Sequence, residues 1–305
     1  MCNSCGCSHG ETRIDGQPAH SGLGDEQHHD HHPLHAHDAG VIEKQRDDLH
    51  FGKGPAHAHA PGLSQSRMVQ IEQSILSKND HYAEQNRASF ASQQILALNL
   101  VSSPGSGKTT LLTETLNNIK DRINCAVIEG DQETANDAER IRTTGVQAVQ
   151  INTGKGCHLD AHMVGHAMDS FIFNQQGLLF IENVGNLVCP AGFDLGEAHK
   201  VAILSVTEGE DKPLKYPDMF YAADLLLLNK IDLLPYLNFD VQACMDNAKK
   251  INPDIDIIQC SATSGEGMEE WYNWLETRRQ AQIDTILEPL KHRLKILEAC
   301  RDRRI

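Results

Sequence analysis

Between Ile95 and Leu112 the chain reads ILALNLVSSPGSGKTTLL, a run that few folds can hold. Six apolar residues (Ile95, Leu96, Ala97, Leu98, Leu100, Val101) stop at a Ser/Pro/Gly turn. The turn leads straight into Lys108-Thr109-Thr110 and a helical pattern carried by Leu111, Leu112 and Leu116. A buried strand, a glycine-rich loop and a helix N-terminus in succession make an anion site, because unpaired N–H groups and the positive end of the helix dipole meet there. Gly105 and Gly107 let the backbone, with Ser106 between them, wrap closely around phosphate. Lys108 supplies a cation for the β/γ-phosphates, the Thr109 hydroxyl can ligate Mg2+, and Thr110 continues the cradle. The spacing is that of a Walker A motif, G-x-x-x-x-G-K-S/T, except that Ser102 stands at the first glycine. The plain alternative is a strand–turn–helix with a surface lysine.

From Ile95 onward strand and helix signals alternate. Short, almost continuous apolar runs follow at Cys125–Glu129, Ala148–Ile151, Leu178–Glu182, Val201–Val206, Asp224–Leu228 and Ile255–Cys260. Parallel strands covered on both faces have this character. Helical patterns separate most of them, one from about Leu159 to Phe173. The expected fold over residues 95–305 is therefore α/β, a doubly wound, mostly parallel sheet of the P-loop NTPase kind with C-terminal helices. Gln65–Gln94 carries Met68, Ile71, Ile75 and Leu76 on one face with no Gly or Pro, and reads as a lead-in helix packed on that domain.

None of this periodicity reaches residues 1–64. That segment holds Cys2, Cys5 and Cys7 and eleven of the 17 histidines, many in the tract HHDHHPLHAHD. It offers too little apolar surface to offset its ordering entropy, and disorder without metal is expected. The histidines are interleaved with Asp, Ala and Pro, unlike a purification tag. Neutral imidazoles suit Ni, Zn, Cu and Co, so the tract reads as a buffering store of loosely held ions. Cys2, Cys5 and Cys7, with the adjacent α-amine, offer four donors that suit planar Ni2+ or tetrahedral Zn2+.

The nine cysteines are clustered or isolated rather than spaced as a disulfide framework, and MCNSCGCSHG lacks the apolar region of a signal peptide. A cytoplasmic location with reduced thiols is expected. A net charge of −15 without a basic stripe argues against nucleic acid, and no apolar run approaches membrane-spanning length.

The remaining motifs fall where strands end, which is where open parallel sheets bind ligands. Asn229-Lys230-Ile231-Asp232 follows DLLLL. Asp232 can accept from guanine N1–H and the 2-amino group together, Lys230 can lie along the base or ribose, and Asn229 can brace the loop. Ser261-Ala262-Thr263, after IDIIQC, matches a guanine-contacting turn. Glu182-Asn183-Val184-Gly185 stands where a Walker B acid and a γ-phosphate-sensing glycine belong, so Glu182 is a Mg2+ candidate and Gly185 a phosphate contact. Asp131 and Asp137 are further Mg2+ or water-positioning candidates, each equally able to cap a helix. With no catalytic glutamine in switch position, hydrolysis by Lys108, Asp131 and Glu182 is expected to be slow. A P-loop kinase or ATPase stays open as a rival.

Cys157-His158 and Cys189 lie on two loops at the same edge, and two thiolates with an imidazole make most of a tetrahedral Ni2+ or Zn2+ site. His162 and His166 follow His158 at helical spacing and read more simply as a solvated face. Cys189 is four residues from Gly185. A loop drawn to the γ-phosphate must therefore move a metal ligand, and nucleotide state becomes metal loading or release. A metal-storage protein with an accessory nucleotide domain is the other reading.

Taken together, CNSCGC, the histidine-rich linker, SSPGSGKTT, GKGCH, ENVGNLVCP, VTEGEDKPLKYP and NKID resemble the HypB family, the nickel-inserting GTPases of nickel–iron hydrogenase maturation. The urease counterparts lack the cysteine-rich start. The resemblance implies a GTP/GDP-cycling P-loop GTPase of the SIMIBI class that dimerises on nucleotide or metal binding. It implies a high-affinity nickel site at Cys2, Cys5 and Cys7, and a weaker nickel or zinc site at Cys157, His158 and Cys189. The implied partners are a HypA-like zinc accessory protein, a metal-binding prolyl isomerase and the hydrogenase large subunit. Leu233, Leu234 and Leu237 are then a dimer patch, or else ordinary core.

Overall fold

A computed structural model describes residues 43–45, 48–50, 65–131, 136–154, 156–173 and 176–302. Cys2, Cys5, Cys7 and the histidine tract lie outside the described residues. Seven strands run parallel: β3 (Ile95–Ser102), β4 (Cys125–Asp131), β5 (Gln147–Asn152), β6 (Gly177–Glu182), β7 (His199–Ser205), β8 (Leu225–Asn229) and β9 (Asp256–Gln259). Two three-residue strands, β1 (Glu43–Gln45) and β2 (Asp48–His50), pair antiparallel at one edge, and β2 lies parallel to β5. The order is β1-β2-β5-β4-β6-β3-β7-β8-β9. From β3 the chain lays down β4 and β5 on one side, returns to insert β6 between β3 and β4, and then adds β7, β8 and β9 on the other side, so the sheet is doubly wound, as expected.

The helices are α1 (Gln65–Ser92), α2 (Lys108–Ile119), α3 (Asn136–Arg142), α4 (Ala161–Met168), α5 (Lys212–Lys215), α6 (Pro217–Ala222), α7 (Val241–Ile251) and α8 (Met268–Asp302). β3 is buried at all eight positions because both of its faces are covered. Leu96, Leu98 and Leu100 pack with Leu112 and Leu116 of α2 and Trp271 of α8, while Ile95 and Ala97 meet Phe90 of α1 and Val164 of α4. The Trp271 indole also donates to Thr115 Oγ1 at 2.9 Å, locking α8 to α2.

Helix α4 is shorter than its apolar pattern suggests. The Asp160 carboxylate accepts from Met163 N, which starts the helix at Ala161 and leaves His158 and Leu159 in the preceding loop. Beyond Met168, Phe171 and Phe173 pack on the core from an irregular segment. Their apolarity reflects burial, which side-chain spacing alone cannot distinguish from helix.

Candidate nucleotide and metal sites

The Walker A loop closes over backbone that only glycine accommodates well. Gly107 has φ +91°, and a Cβ there would stand 2.7 Å from Asn229 Nδ2. Asn229 Nδ2 donates to Ser106 O at 3.0 Å and Lys230 Nζ to Gly105 O at 2.6 Å, so the NKID loop clasps the phosphate loop. Gly185 lies so close that a Cβ would fall 3.1 Å from Pro104, which places the ENVG turn beside the same loop. The Ser106 hydroxyl is buried with no hydrogen-bond partner among the described residues, as a phosphate-facing hydroxyl would be.

Beneath the loop lies a buried charge cluster. Lys108 Nζ sits 3.0 Å from Glu182 Oε1, and Thr109 Oγ1 donates to the same oxygen at 2.7 Å. Glu129, the register partner of Glu182 on β4, is buried beside it. Oε2 of each carboxyl has no donor among the described residues. Two such groups coexist there only with a proton or a cation between them. Burial pushes the Glu129 carboxyl well above the usual range, and the charge of Glu182 adds to the effect. Burial also acts upward on Glu182, but Lys108 and the hydrogen bonds from its neighbours outweigh it and hold that carboxyl low. The donor set fits Mg2+: a hydroxyl and orphaned carboxylate oxygens, all hard ligands. Asp131 ends β4, and its carbonyl accepts from Thr153 N, which ties the strand tip to the segment before Cys157. Asp137 pairs with Arg140 at 3.6 Å, and its charge reaches Lys108 and Glu129; Arg140 also donates to Thr110 Oγ1 at 3.3 Å.

The Asn229–Asp232 turn and the Ser261–Thr263 turn, the two expected to contact a base, meet each other. Ser261 Oγ donates to Asp232 Oδ1 at 2.5 Å, and Ala262 N to Asn229 Oδ1 at 3.3 Å. Leu233 and Leu234 pack partly on the core, whereas Leu237 is exposed on the same rim.

The expected metal ligands converge. Cys157 Sγ lies 2.9 Å from Cys189 Sγ and 3.6 Å from His158 Nδ1, and the three donor atoms lie within 4.8 Å of one another. The sulfur separation exceeds a disulfide's roughly 2.05 Å, so the two cysteines are not bridged. The His158 ring rests on Phe193 with centroids 4.0 Å apart, which fixes its plane. His162 and His166 lie one turn apart on α4 with their Nε2 atoms at 3.1 Å, outside the Cys157–His158–Cys189 set. The hydrogen bond with Cys157 and burial push the Cys189 thiol up to about 12. Metal binding must displace that proton. Nickel affinity at this site is therefore expected to rise about tenfold per pH unit for each proton released, and to fall correspondingly in acid. Nickel titrations from about pH 6 to about pH 8, in a chain whose first three cysteines are changed to serine, check this. A pH-independent affinity would exclude thiolate ligation.

Sequence patterns left several supporting residues unremarked. Asn79 of α1 accepts from Ala161 N at 2.9 Å and donates to Asp194 O at 2.7 Å, while Asn86 donates to Ala161 O and Leu195 O. The lead-in helix thus ties together the segments that carry His158 and Cys189. Lys212 Nζ reaches Ser103 Oγ at 3.4 Å from the far side of the phosphate loop. Glu129 carried a visible signal, a carboxylate in an otherwise apolar strand.

Residues 96–259 match the family described as CobW/HypB/UreG, nucleotide-binding domain. Over 303 residues the chain is 62% identical to hydrogenase maturation factor HypB of Azotobacter vinelandii, with 98% of this chain and 99% of that protein covered. To the Escherichia coli K12 protein of the same name the identity is 56% over 299 residues, covering 92% of this chain and all of that one. A crystal structure of HypB from Helicobacter pylori in complex with nickel superposes with a TM-score of 0.63 at 40% identity, covering 67% of this chain and 96% of that one.

Proposed function

The chain belongs to the HypB hydrogenase maturation factors of the CobW/HypB/UreG family, and from that premise we propose that it is a GTP-hydrolysing nickel metallochaperone serving nickel–iron hydrogenase. The observation that carries the reading is one short stretch of chain. Gly185 abuts the phosphate loop, and Cys189, four residues on, touches Cys157. A change at the terminal phosphate is then felt by a nickel ligand.

In this reading GTP lies with its base between Asp232 and Ala262, and its phosphates on Gly105–Thr110. Lys108 turns from Glu182 toward the β/γ-phosphates, and the Gly185 N–H meets the γ-phosphate. Thr109, Glu182 and the neighbouring Asp131 and Asp137 would hold Mg2+, which neutralises charge on the transferring phosphoryl group. Water attacks the γ-phosphorus, GDP leaves with the bridging oxygen, and the Gly185–Cys189 segment relaxes. Nickel is cargo, caught by Cys2, Cys5 and Cys7 and held between Cys157, His158 and Cys189 before transfer to the hydrogenase large subunit. Zn2+ competes for the same tetrahedral set. A HypA-like zinc protein and a metal-binding prolyl isomerase are the proposed intermediaries, in the cytoplasm, with a homodimer forming on nucleotide or metal binding.

Titrating nickel into the GDP form and the form with a non-hydrolysable GTP analogue tests the coupling. A difference of about fivefold or more in affinity is expected. Equal affinity in the two forms overturns it. Cys157→Ser should abolish that difference while leaving GTP binding intact, because it removes a ligand of the metal site and alters no residue of the phosphate loop or the NKID turn.

A further inference from the structure

Asn183 sits one residue beyond Glu182 and is 1% exposed. Its side-chain oxygen accepts from Leu159 N at 3.0 Å, directly after the ligand His158. Its amide donates to Asn99 Oδ1 at 3.2 Å, in the centre of β3. Asn99, with no exposed surface, donates in turn to Glu197 Oε1 at 3.0 Å. The other Glu197 oxygen accepts from Leu195 N at 2.6 Å. Lys200 Nζ lies 3.7 Å from Glu197 and donates to the carbonyls of Pro190 at 3.0 Å, Ala191 at 3.2 Å and Phe193 at 3.4 Å. The first two carbonyls belong to the turn that starts at Cys189, and the third lies two residues past its end.

Every donor and acceptor in this chain points one way until it reaches Glu197, where two donors and a cation converge. A buried lysine and three largely buried polar side chains, Asn183, Asn99 and Glu197, are expensive to keep in a core unless each is satisfied, and here each is. The series begins next to the Walker B acid, and its two ends finish beside His158 and beside Cys189. Nothing in nucleotide binding or in metal ligation as described above requires it.

We infer that Asn183, Asn99, Glu197 and Lys200 form a positioning relay through the core that sets the spacing of His158 and Cys189 according to the nucleotide bound. The inference rests on the coupling described under the proposed function and gives it a second route besides the surface segment from Gly185 to Cys189. A displacement of the Glu182–Asn183 strand end shifts Leu159 directly, and shifts the Cys189 turn through Asn99, Glu197 and Lys200. None of the four is among the residues assigned above to nucleotide or to metal, so they position and do not catalyse.

Hydrogen-bond polarity supplies the test. Asn99→Asp places an acceptor against Glu197 and breaks the central link while keeping volume. Adding Glu197→Gln lets the new amide donate to that acceptor while its oxygen still takes Leu195 N–H. The probe is Co2+ or Ni2+ added to the full chain carrying Cys2→Ser, Cys5→Ser and Cys7→Ser, read by thiolate-to-metal charge-transfer absorption and affinity, with GDP and then a non-hydrolysable GTP analogue. The parent should show a nucleotide-dependent band and about fivefold or more in affinity. Asn99→Asp should bind metal and nucleotide but lose the dependence, to less than about twofold, and the double variant should regain it. If Asn99→Asp fails to fold, Glu197→Gln alone breaks the same link and is read in the same way. A purely packing role would lower the melting temperature of the variants without selectively erasing the coupling. Parent coupling that survives both single variants overturns the relay alone. A parent with no nucleotide dependence overturns the relay together with the coupling it serves.

Discussion

Lys108→Ala is expected to lower GTP turnover by on the order of 10³-fold, while nickel capture by Cys2, Cys5 and Cys7 stays intact. In the proposed function Lys108 is the cation that meets the charge developing on the phosphates, and no other lysine lies as close to Thr109 and Glu182 in the described cluster. The substitution has a second, structural effect that must be separated from the first. Glu182 has no exposed side-chain surface, and it stays ionised mainly because Lys108 is 3.0 Å away. Removing one partner of a buried pair costs about 3–5 kcal/mol, since the other charge is left uncompensated.

The sign with pH follows. A carboxyl held below its ordinary value stabilises the fold above that value, and the contribution is lost as pH falls through the native one. Without Lys108 this contribution disappears, and the Glu182 carboxyl takes up a proton instead. Lys108→Ala combined with Glu182→Gln should therefore recover much of the lost stability, measured by urea denaturation, and recover none of the turnover. A double variant that regained turnover would mean that Lys108 acts only through Glu182. Loss of N-terminal nickel binding in Lys108→Ala would contradict the separation of the two modules.

How much of this was legible without coordinates depended on how local each signal was. The P-loop, NKID and ENVG runs carry their chemistry in consecutive residues, and the strand-end rule places them on one edge of the sheet. The meeting of Cys157, His158 and Cys189 also followed, because both loops leave parallel strands at their C-terminal ends. What stayed hidden depends on pairing across the chain. Asn79 and Asn86 look like ordinary polar positions on a helix, yet they are buried and tie together segments 75 to 115 residues away. Asn99 interrupts an apolar strand, and Lys200 sits in another; each is a polar residue where burial permits one only with partners. Neither names its partner. Apolar spacing overstates the length of α4 for a related reason, since Phe171 and Phe173 pack on the core without being helical.

Asp232→Asn is expected to reverse nucleotide choice, from GTP to xanthosine triphosphate, by on the order of 10⁴-fold in relative turnover. The Asp232 carboxylate is held by Ser261 Oγ at 2.5 Å, which occupies one lone pair of Oδ1. The remaining lone pairs can accept from guanine N1–H and its 2-amino group together. Adenine presents an acceptor and a C–H in those places and would leave the carboxylate unpaired. An asparagine keeps one acceptor for N1–H and turns its amide N–H toward the second position, where guanine offers a donor and xanthine a carbonyl. One contact thus becomes donor against donor with GTP and a hydrogen bond with the xanthine base. The surroundings should tolerate the exchange, because Asn229 is fixed independently by Ser106 O and Ala262 N and Lys230 by Gly105 O. Competition among GTP, ATP and xanthosine triphosphate for turnover, in the parent and the variant, checks it. Unchanged preference would mean that the base does not reach Asp232, and the guanine assignment would fall while the phosphate and metal sites stood. A loss of all turnover without reversal would instead place Asp232 in the support of the Ser261–Ala262 turn, since removing a carboxylate from a strong hydrogen bond loosens both loops at once.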